Sequence, residues 1–302
     1  MNIILSGATG SIGMALLRLA IRNGDHVLCI VHRDSKRNGC IPIHCNISVI
    51  EADLSEYRDL PLEGKYDVFI HLAWCHTSGV QRDDAELQLL NIQYTLDAVS
   101  LAARHGCQHF VGAGSQSEYG VVESPPSPQL AVKPESGYGV AKFAAGKFAS
   151  MCCKKLGMHF NWVRILSVYG PSDRSASFIS YLISSFESGC EPQVTRCEQT
   201  WDYLYSDDAA AAFYSIINAG VDGKTYVLGS GQGRPMYEYV NAIKEMYNSN
   251  LEVNYGAIEY YPHQPMYMVA DISVLCYDTG WQPTITFEEG LRFIRESKII
   301  SQ

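Results

Sequence analysis

The hydrophobic pattern along the chain alternates two periods. Asn2 to Leu5 and Val27 to Val31 are short apolar runs, as are Val49 to Glu51, Tyr66 to Leu72 and His109 to Gly112. Each is the length of a buried strand. Between them lie stretches of helical period. Ala15 to Ala20 follows the first run, and Arg82 to His105 places Leu87, Leu90, Tyr94, Ala98 and Leu101 near one face,. Gly106 then predicts the helix end. Strands alternating with helices imply right-handed crossovers and a parallel sheet, hence a doubly wound α/β fold. In such sheets ligands sit beyond the carboxyl ends of the strands, so chemistry is sought just after each apolar run.

The first such place is Gly7-Ala8-Thr9-Gly10-Ser11-Ile12-Gly13. A strand that turns through glycines into a helix offers free backbone N–H groups and a positive helix end to an anion. Gly7 suits the tight turn, Gly10 lets a pyrophosphate approach the backbone, and Gly13 lets helix and strand pack closely. A glycine triplet alone is also an ordinary strand-to-helix turn, so it needs support from elsewhere in the chain. After the second run comes His32-Arg33-Asp34-Ser35-Lys36-Arg37. An acid there would bind a ribose 2′-hydroxyl, whereas basic groups accommodate a 2′-phosphate, so the segment favours NADP over NAD. A solvated basic loop is the competing reading. Asp53, after the third run, could cap a turn or accept from an adenine amino group.

After the fifth run stands Ser115-Gln116-Ser117-Glu118-Tyr119-Gly120, then a proline-rich loop, then Tyr138-Gly139-Val140-Ala141-Lys142. Tyr138 and Lys142 share one helix face, about 6 Å apart in rise. An ammonium beside a phenol favours the phenolate and makes the tyrosine a usable acid or base for an alcohol/ketone pair. Ser115 can bond the same substrate oxygen. A surface Tyr/Lys pair merely supporting a helix is the bland alternative.

Composition narrows the class. The chain has 302 residues, a formal charge of −9 and no basic block, which argues against nucleic-acid or anionic-membrane partners. That length suits one large α/β unit or two domains. Ten cysteines are scattered without zinc-type spacing and read as reduced thiols, so no metal site is expected,. No signal-peptide pattern or long apolar span is present, and the expectation is a cytoplasmic enzyme.

Taken together, these segments resemble the extended short-chain dehydrogenase/reductases, specifically the NAD-dependent epimerase/dehydratase family. The resemblance rests on the glycine turn, Asp53-Leu54, His71-Leu72-Ala73, Asn91, Ser115 to Gly120, Tyr138 to Lys142 and Ser167-Val168-Tyr169-Gly170-Pro171. Trp201-Asp202-Tyr203 and Ala270-Asp271 extend it. It implies a Rossmann-type unit over residues 1–171, joined by a returning segment near 204–228, and a mainly substrate-binding region over 172–302. It also implies Ser115, Tyr138 and Lys142 as the catalytic group. Gly7, Thr9, Gly10, Ser11, Ile12, Gly13, His32, Arg33, Asp53, Leu54, Leu72, Ala73 and Asn91, with Tyr138 and Lys142, would hold the dinucleotide. Ser115, Gln116, Ser167, Arg174, Trp201, Tyr203 and Arg234 would face a nucleotide-linked sugar. A homodimer through a four-helix bundle of the two long helices is implied as well.

Three positions depart from the family pattern. Ser167 replaces an asparagine, and Trp201 and Tyr261 stand where two arginines commonly bind the substrate diphosphate, which leaves open whether the substrate has one. The family's dehydratases carry an acid soon after the catalytic hydroxyl. Here Gln116 and Ser117 follow, and Glu118 lies one position late, so dehydration is disfavoured. The reading is an NADPH-dependent 4-keto-sugar reductase. The alternatives are a nucleotide-sugar 4-epimerase with tightly bound NAD and, behind both, a non-enzymatic dinucleotide-sensing scaffold.

Overall fold

The computed structural model describes residues 1–173, 177–247, 250–261 and 264–300. The strands of its main sheet alternate with helices. They are β1 (Asn2–Ser6), α1 (Ser11–Asn23), β2 (His26–Val31), β3 (Ile47–Glu51), β4 (Val68–His71), α2 (Ala85–Arg104), β5 (His109–Ser115), α3 (Gly137–Leu156) and β6 (His159–Ile165). There follow β7 (Ser167–Tyr169), α4 (Phe178–Ser188), β8 (Gln193–Val194), β9 (Thr200–Tyr205), α5 (Ser206–Ala219) and β10 (Thr225–Leu228). The chain ends with β11 (Gly233–Pro235), α6 (Met236–Met246), β12 (Asn254–Tyr255), β13 (Tyr267–Met268), α7 (Ser273–Thr279) and α8 (Phe287–Ile300).

Seven strands form one sheet in the order β10-β6-β5-β4-β1-β2-β3, every pair parallel. The order reverses between β1 and β4, which opens a crevice at their carboxyl ends. Helices α1 and α5 pack together, as do α2 and α3. Apolar residues such as Ile4, Phe69, Phe110 and Phe213 are fully buried in the layers they form. Each such side chain contributes about 1.5–3 kcal/mol on leaving water. This is the Rossmann-like α/β architecture that the strand–helix alternation implies.

Two boundaries differ from the periodicity, and both matter. The helical pattern from Arg82 is broken, because Asp84 accepts from Leu87 N at 3.1 Å and caps α2 there,. Val80–Arg82 forms a separate 3-10 turn, which frees Arg82 from the helix face. Strand β5 runs on to Ser115 rather than stopping at Gly112. A Cβ at Gly112 or Gly114 would lie 2.4 Å from the Trp162 ring, so only glycine lets β5 pass under that indole,.

β7, β9, β11 and β13 form a second, smaller sheet beside α4, α6 and α8, with its own cluster around Tyr169, Leu182, Tyr239 and Leu291. The chain then returns. Leu275 of α7 and Trp281 join the cluster beneath α1 and α5. Asp208, near the start of α5, accepts three hydrogen bonds from Thr284 and Ile285 on its carboxylate and a fourth from Trp281 Nε1 on its backbone oxygen.

Candidate active site

The end of β1 is shaped for an anion. Gly7 has φ +76°, and a Cβ there would sit 2.9 Å from the backbone of Leu72 and Ala73. A Cβ at Gly13 would lie 2.4 Å from Gly7 O. Both contacts exclude side chains, so the turn sits against the exit of β4, in the crevice between β1 and β4. Helix α1 starts without a capping side chain and has no acid in its first turn. Its positive end and first N–H groups are therefore left for a ligand. Ser11 Oγ is buried with no hydrogen-bond partner, and Thr9, Gly10 and Ile12 complete the turn. A dinucleotide pyrophosphate fits this donor set.

At the exit of β2 the basic groups are engaged. Arg33 forms a two-point pair with Glu56, through Nε at 3.2 Å and Nη2 at 2.5 Å. His32 Nε2 lies 3.4 Å from Asp53 Oδ1. Asp53 and Glu56 close a reciprocal cap on the turn Leu54–Glu56. Arg37 donates to Ser172 O, and Lys36 is exposed. Asn91 reaches the loop after β4, accepting from Cys75 N at 2.9 Å and donating to Cys75 O at 3.1 Å. It fixes the stretch after Leu72 and Ala73 with both ends of its amide.

Ser115, Tyr138 and Lys142 lie at the neighbouring strand ends. Ser115 closes β5, and its Oγ accepts from Ser117 N at 3.1 Å. Ser136 caps α3 on Gly139 N at 3.0 Å, so Tyr138 lies in the first helical turn and Lys142 one turn on. A Cβ at Gly139 would lie 2.3 Å from Ser117 O, so glycine lets this helix start against the segment after Ser115. Lys142 is 3% exposed. Its Nζ donates to Ala113 O at 2.7 Å and lies 3.8 Å from the centre of the Trp74 ring and 5.7 Å from that of Tyr138. Burial pushes the ammonium down to about 7, against the opposing charge of Glu118,. His71, on β4, accepts or donates to Ser6 Oγ at 2.8 Å. Burial first, and Lys142 second, push its imidazole down to about 3, so it is neutral.

Glu118 faces away from this group. It is fully buried and takes Ser115 N at 2.9 Å, Trp162 Nε1 at 2.9 Å and Arg164 Nε at 2.7 Å. A carboxylate so committed holds the turn below Ser115 and has no oxygen left for a substrate. Gln116 Oε1 is buried without a partner.

At the smaller sheet, Trp201 Nε1 donates to Ser167 Oγ at 2.7 Å. Tyr203 packs edge-on against Tyr169 and Tyr239, its hydroxyl 3.9 Å from Met236 Sδ. Arg234 lies opposite Trp201 on the adjacent strand, pairs with Glu288 at 2.7 Å and stacks on Tyr239 and Phe287. Tyr261 is 79% exposed. Arg174 lies outside the described residues. Among the described residues no cluster of metal-ligating side chains occurs, and no helix is long and apolar enough to cross a membrane.

Three residues placed here by the structure, Trp74, Arg82 and Asp202, have no site role in the sequence reading. Trp74 covers Lys142 and meets Tyr138 edge-on at 5.9 Å between ring centres. Its only signal was its place just after His71-Leu72-Ala73. Arg82 lies 4.5 Å over the Tyr138 ring. No spacing rule connects it to Tyr138. Asp202 is buried and accepts from Ser230 N, Gly231 N and Ala270 N at 2.7, 2.9 and 3.1 Å, tying β9 to the segments after β10 and β13.

The glycine turn after β1 and the Ser115, Tyr138 and Lys142 side chains thus lie at one end of the parallel sheet. The model of the NAD dependent epimerase/dehydratase family matches residues 3–229, and the chain belongs to that family. It is accordingly an enzyme of the short-chain dehydrogenase/reductase type, in a family of nucleotide-sugar epimerases, dehydratases and reductases that depend on a nicotinamide dinucleotide. Among curated relatives, the chain is 24% identical to the dTDP-glucose 4,6-dehydratase of Haemophilus influenzae, covering 97% of this chain and 96% of the relative. It is 25% identical to the GDP-6-deoxy-D-mannose reductase of Pseudomonas aeruginosa, covering 76% and 79%. The UDP-glucuronic acid 4-epimerase of Bacillus cereus, solved with UDP-glucuronic acid and NAD, superposes with a TM-score of 0.84 at 21% identity. That match covers 98% of this chain and all of the other.

Proposed function

We propose that the protein reduces a 4-keto group on a nucleotide-linked sugar with NADPH. The observation that carries this reading is the absence of an available acid beside Ser115. Gln116 and Ser117 carry no titratable proton, and Glu118 is spent on Ser115 N, Trp162 and Arg164. Removal of water needs a positioned acid and base, whereas carbonyl reduction needs one proton donor. A bound dinucleotide would supply the hydride. Ser115 bonds the carbonyl oxygen, Tyr138 delivers the proton to it as the C–H bond forms, and Lys142 favours the resulting phenolate until solvent reprotonates it. The dinucleotide would lie along Gly7 to Gly13, with Leu72 and Ala73 beneath it.

NADPH is supported by His32, Arg33, Lys36 and Arg37. The Arg33–Glu56 pair is half-exposed, and an ion pair in water is weak enough to exchange for a phosphate. A 4-epimerase with tightly held NAD is the second reading, and that same pairing of Arg33 with Glu56 favours it. A homodimer is supported by the exposed Leu89 and Leu90 of α2 and Val140, Phe148 and Met151 of α3, because exposed apolar residues on two packed helices are suited to a four-helix interface.

The test is to denature freshly purified protein and identify any released dinucleotide by mass spectrometry, then to follow NADPH oxidation with nucleotide-linked 4-keto sugars. Empty protein that prefers NADP⁺ and consumes NADPH supports the reductase. Stoichiometric NAD and no net consumption would replace it with the epimerase. Affinity for neither dinucleotide would leave only the scaffold.

A further inference from the structure

Among the described residues, Arg82 is the cation nearest the ring of Tyr138, and none of their carboxylates pairs with it. Its Nη2 donates to Ser117 Oγ at 2.6 Å, Nη1 donates to Thr77 O at 3.4 Å, and its guanidinium carbon lies 4.5 Å above the Tyr138 ring. Both hydrogen-bond acceptors are neutral. Among the described residues no carboxylate lies within ion-pair distance of it. The acids nearest in sequence are occupied at helix starts, where Asp83 takes Gly137 N at 3.0 Å and Asp84 takes Leu87 N at 3.1 Å. Glu118 is neutralised by Arg164.

A guanidinium with spare donors is suited to receiving a planar anion at two points. The turn Gly7 to Gly13 would hold the dinucleotide's phosphates at another strand end,, so the anion belongs to the substrate. Its position narrows further, on the reading of this site as one for hydride transfer at C4. C1, which carries the diphosphate, and C4 lie opposite one another in a pyranose. A residue beside Tyr138 therefore meets the substituents next to C4, and C6 is the one that can be a carboxylate.

We propose that Arg82 selects a nucleotide-linked hexuronate, pairing with its C6 carboxylate beside the reacting carbon. Arg82 then acts in specificity, and its bonds to Ser117 and Thr77 hold it in place in the absence of substrate.

Protein loaded with NADP⁺ is titrated calorimetrically with UDP, CDP, GDP and dTDP to choose the nucleotide. The matching hexose and hexuronate conjugates are then compared on wild type, Arg82→Gln and Arg82→Lys. Glutamine keeps a donor for Ser117 and Thr77, and thermal melts check that both variants fold. Wild type is expected to bind the hexuronate about tenfold or more tightly than the hexose, the worth of hydrogen bonds to a charged group. Arg82→Gln should bring the two within about twofold with affinity for the free nucleotide unchanged, and Arg82→Lys should restore part of the gap. Equal binding of the two sugars by wild type overturns the inference. A variant that loses hexose, hexuronate and free nucleotide alike also overturns it, since Arg82 would then serve the diphosphate or the loop. If none of the four nucleotides binds, the nucleotide-sugar reading itself falls and this inference with it.

Discussion

Trp201 Nε1 donates to Ser167 Oγ at 2.7 Å, so two positions at which this chain departs from its family's pattern are partners of each other. They reach one another because Ser167 pairs with Tyr203, two residues beyond Trp201 and on the same face of β9,. The serine hydroxyl is the acceptor that the largely buried indole N–H needs,. The two replacements therefore form one unit. Trp201→Phe and Ser167→Ala should each destabilise the fold, and the double variant should cost less than the sum. A coupling of about 1 kcal/mol is expected for one hydrogen bond. Urea unfolding of the four proteins measures it, and strict additivity would refute the pairing.

Tyr138→Phe keeps the ring that Trp74 and Arg82 pack on and removes only the hydroxyl. Turnover should fall by about 10²–10⁴, the worth of a positioned proton-transfer group. Dinucleotide affinity should stay within about threefold, because a phenol hydroxyl contributes at most one neutral hydrogen bond there. Fluorescence titration with NADPH and steady-state rates separate the two effects. Retention of full activity would remove Tyr138 from the chemistry.

The contrast between Tyr138 and Arg82 shows what the sequence discloses and what it hides. Tyr138 and Lys142 are four apart on one helix, and Gly7, Gly10 and Gly13 lie in one turn. Local geometry ties such groups together, so spacing reveals them. Strand and helix order likewise gave the parallel sheet and the crevice beside β4. Arg82 meets Tyr138 only because Asp84 starts α2 late and turns the preceding residues toward the sheet end. That relation depends on tertiary packing between distant segments, for which no period exists. Arg33 illustrates the same limit from the other side. Its charge is visible in the sequence, but its pairing with Glu56 is not.

That pairing makes dinucleotide choice a competition. Arg33 is held by a two-point bond to Glu56, and a 2′-phosphate must take it over. Glu56→Gln weakens the incumbent partner and should raise NADP⁺ affinity by about threefold to tenfold, the scale of a surface ion pair and its hydrogen bonds. Arg33→Ala should lower NADP⁺ affinity by a similar factor and leave NAD⁺ affinity nearly unchanged. Competitive titration of NADPH and NADH fluorescence reads both. An Arg33→Ala variant with unaltered preference would assign the 2′ position to other residues.

Lys142 links catalysis to stability. Burial lowers its pKa from 10.5 to about 7 in the folded chain. Below pH 7 both folded and unfolded chains carry the proton, and the folded state bears the cost of a buried ammonium. Between about 7 and 10.5 the unfolded chain binds more protons than the folded one, so this residue's contribution makes stability rise with pH. Lys142→Met removes the charge and keeps the length of the side chain, at the loss of the bond to Ala113 O. Measured without dinucleotide, the variant should therefore gain most over wild type, or lose least, near pH 6. That difference should shift toward wild type by pH 9. Thermal melts across this range test the sign. A gap between the two proteins that stays constant from pH 6 to 9 would mean that Lys142 keeps its ordinary pKa. The ammonium over Trp74 would then be fully charged at working pH, with more power over Tyr138 than its burial allows.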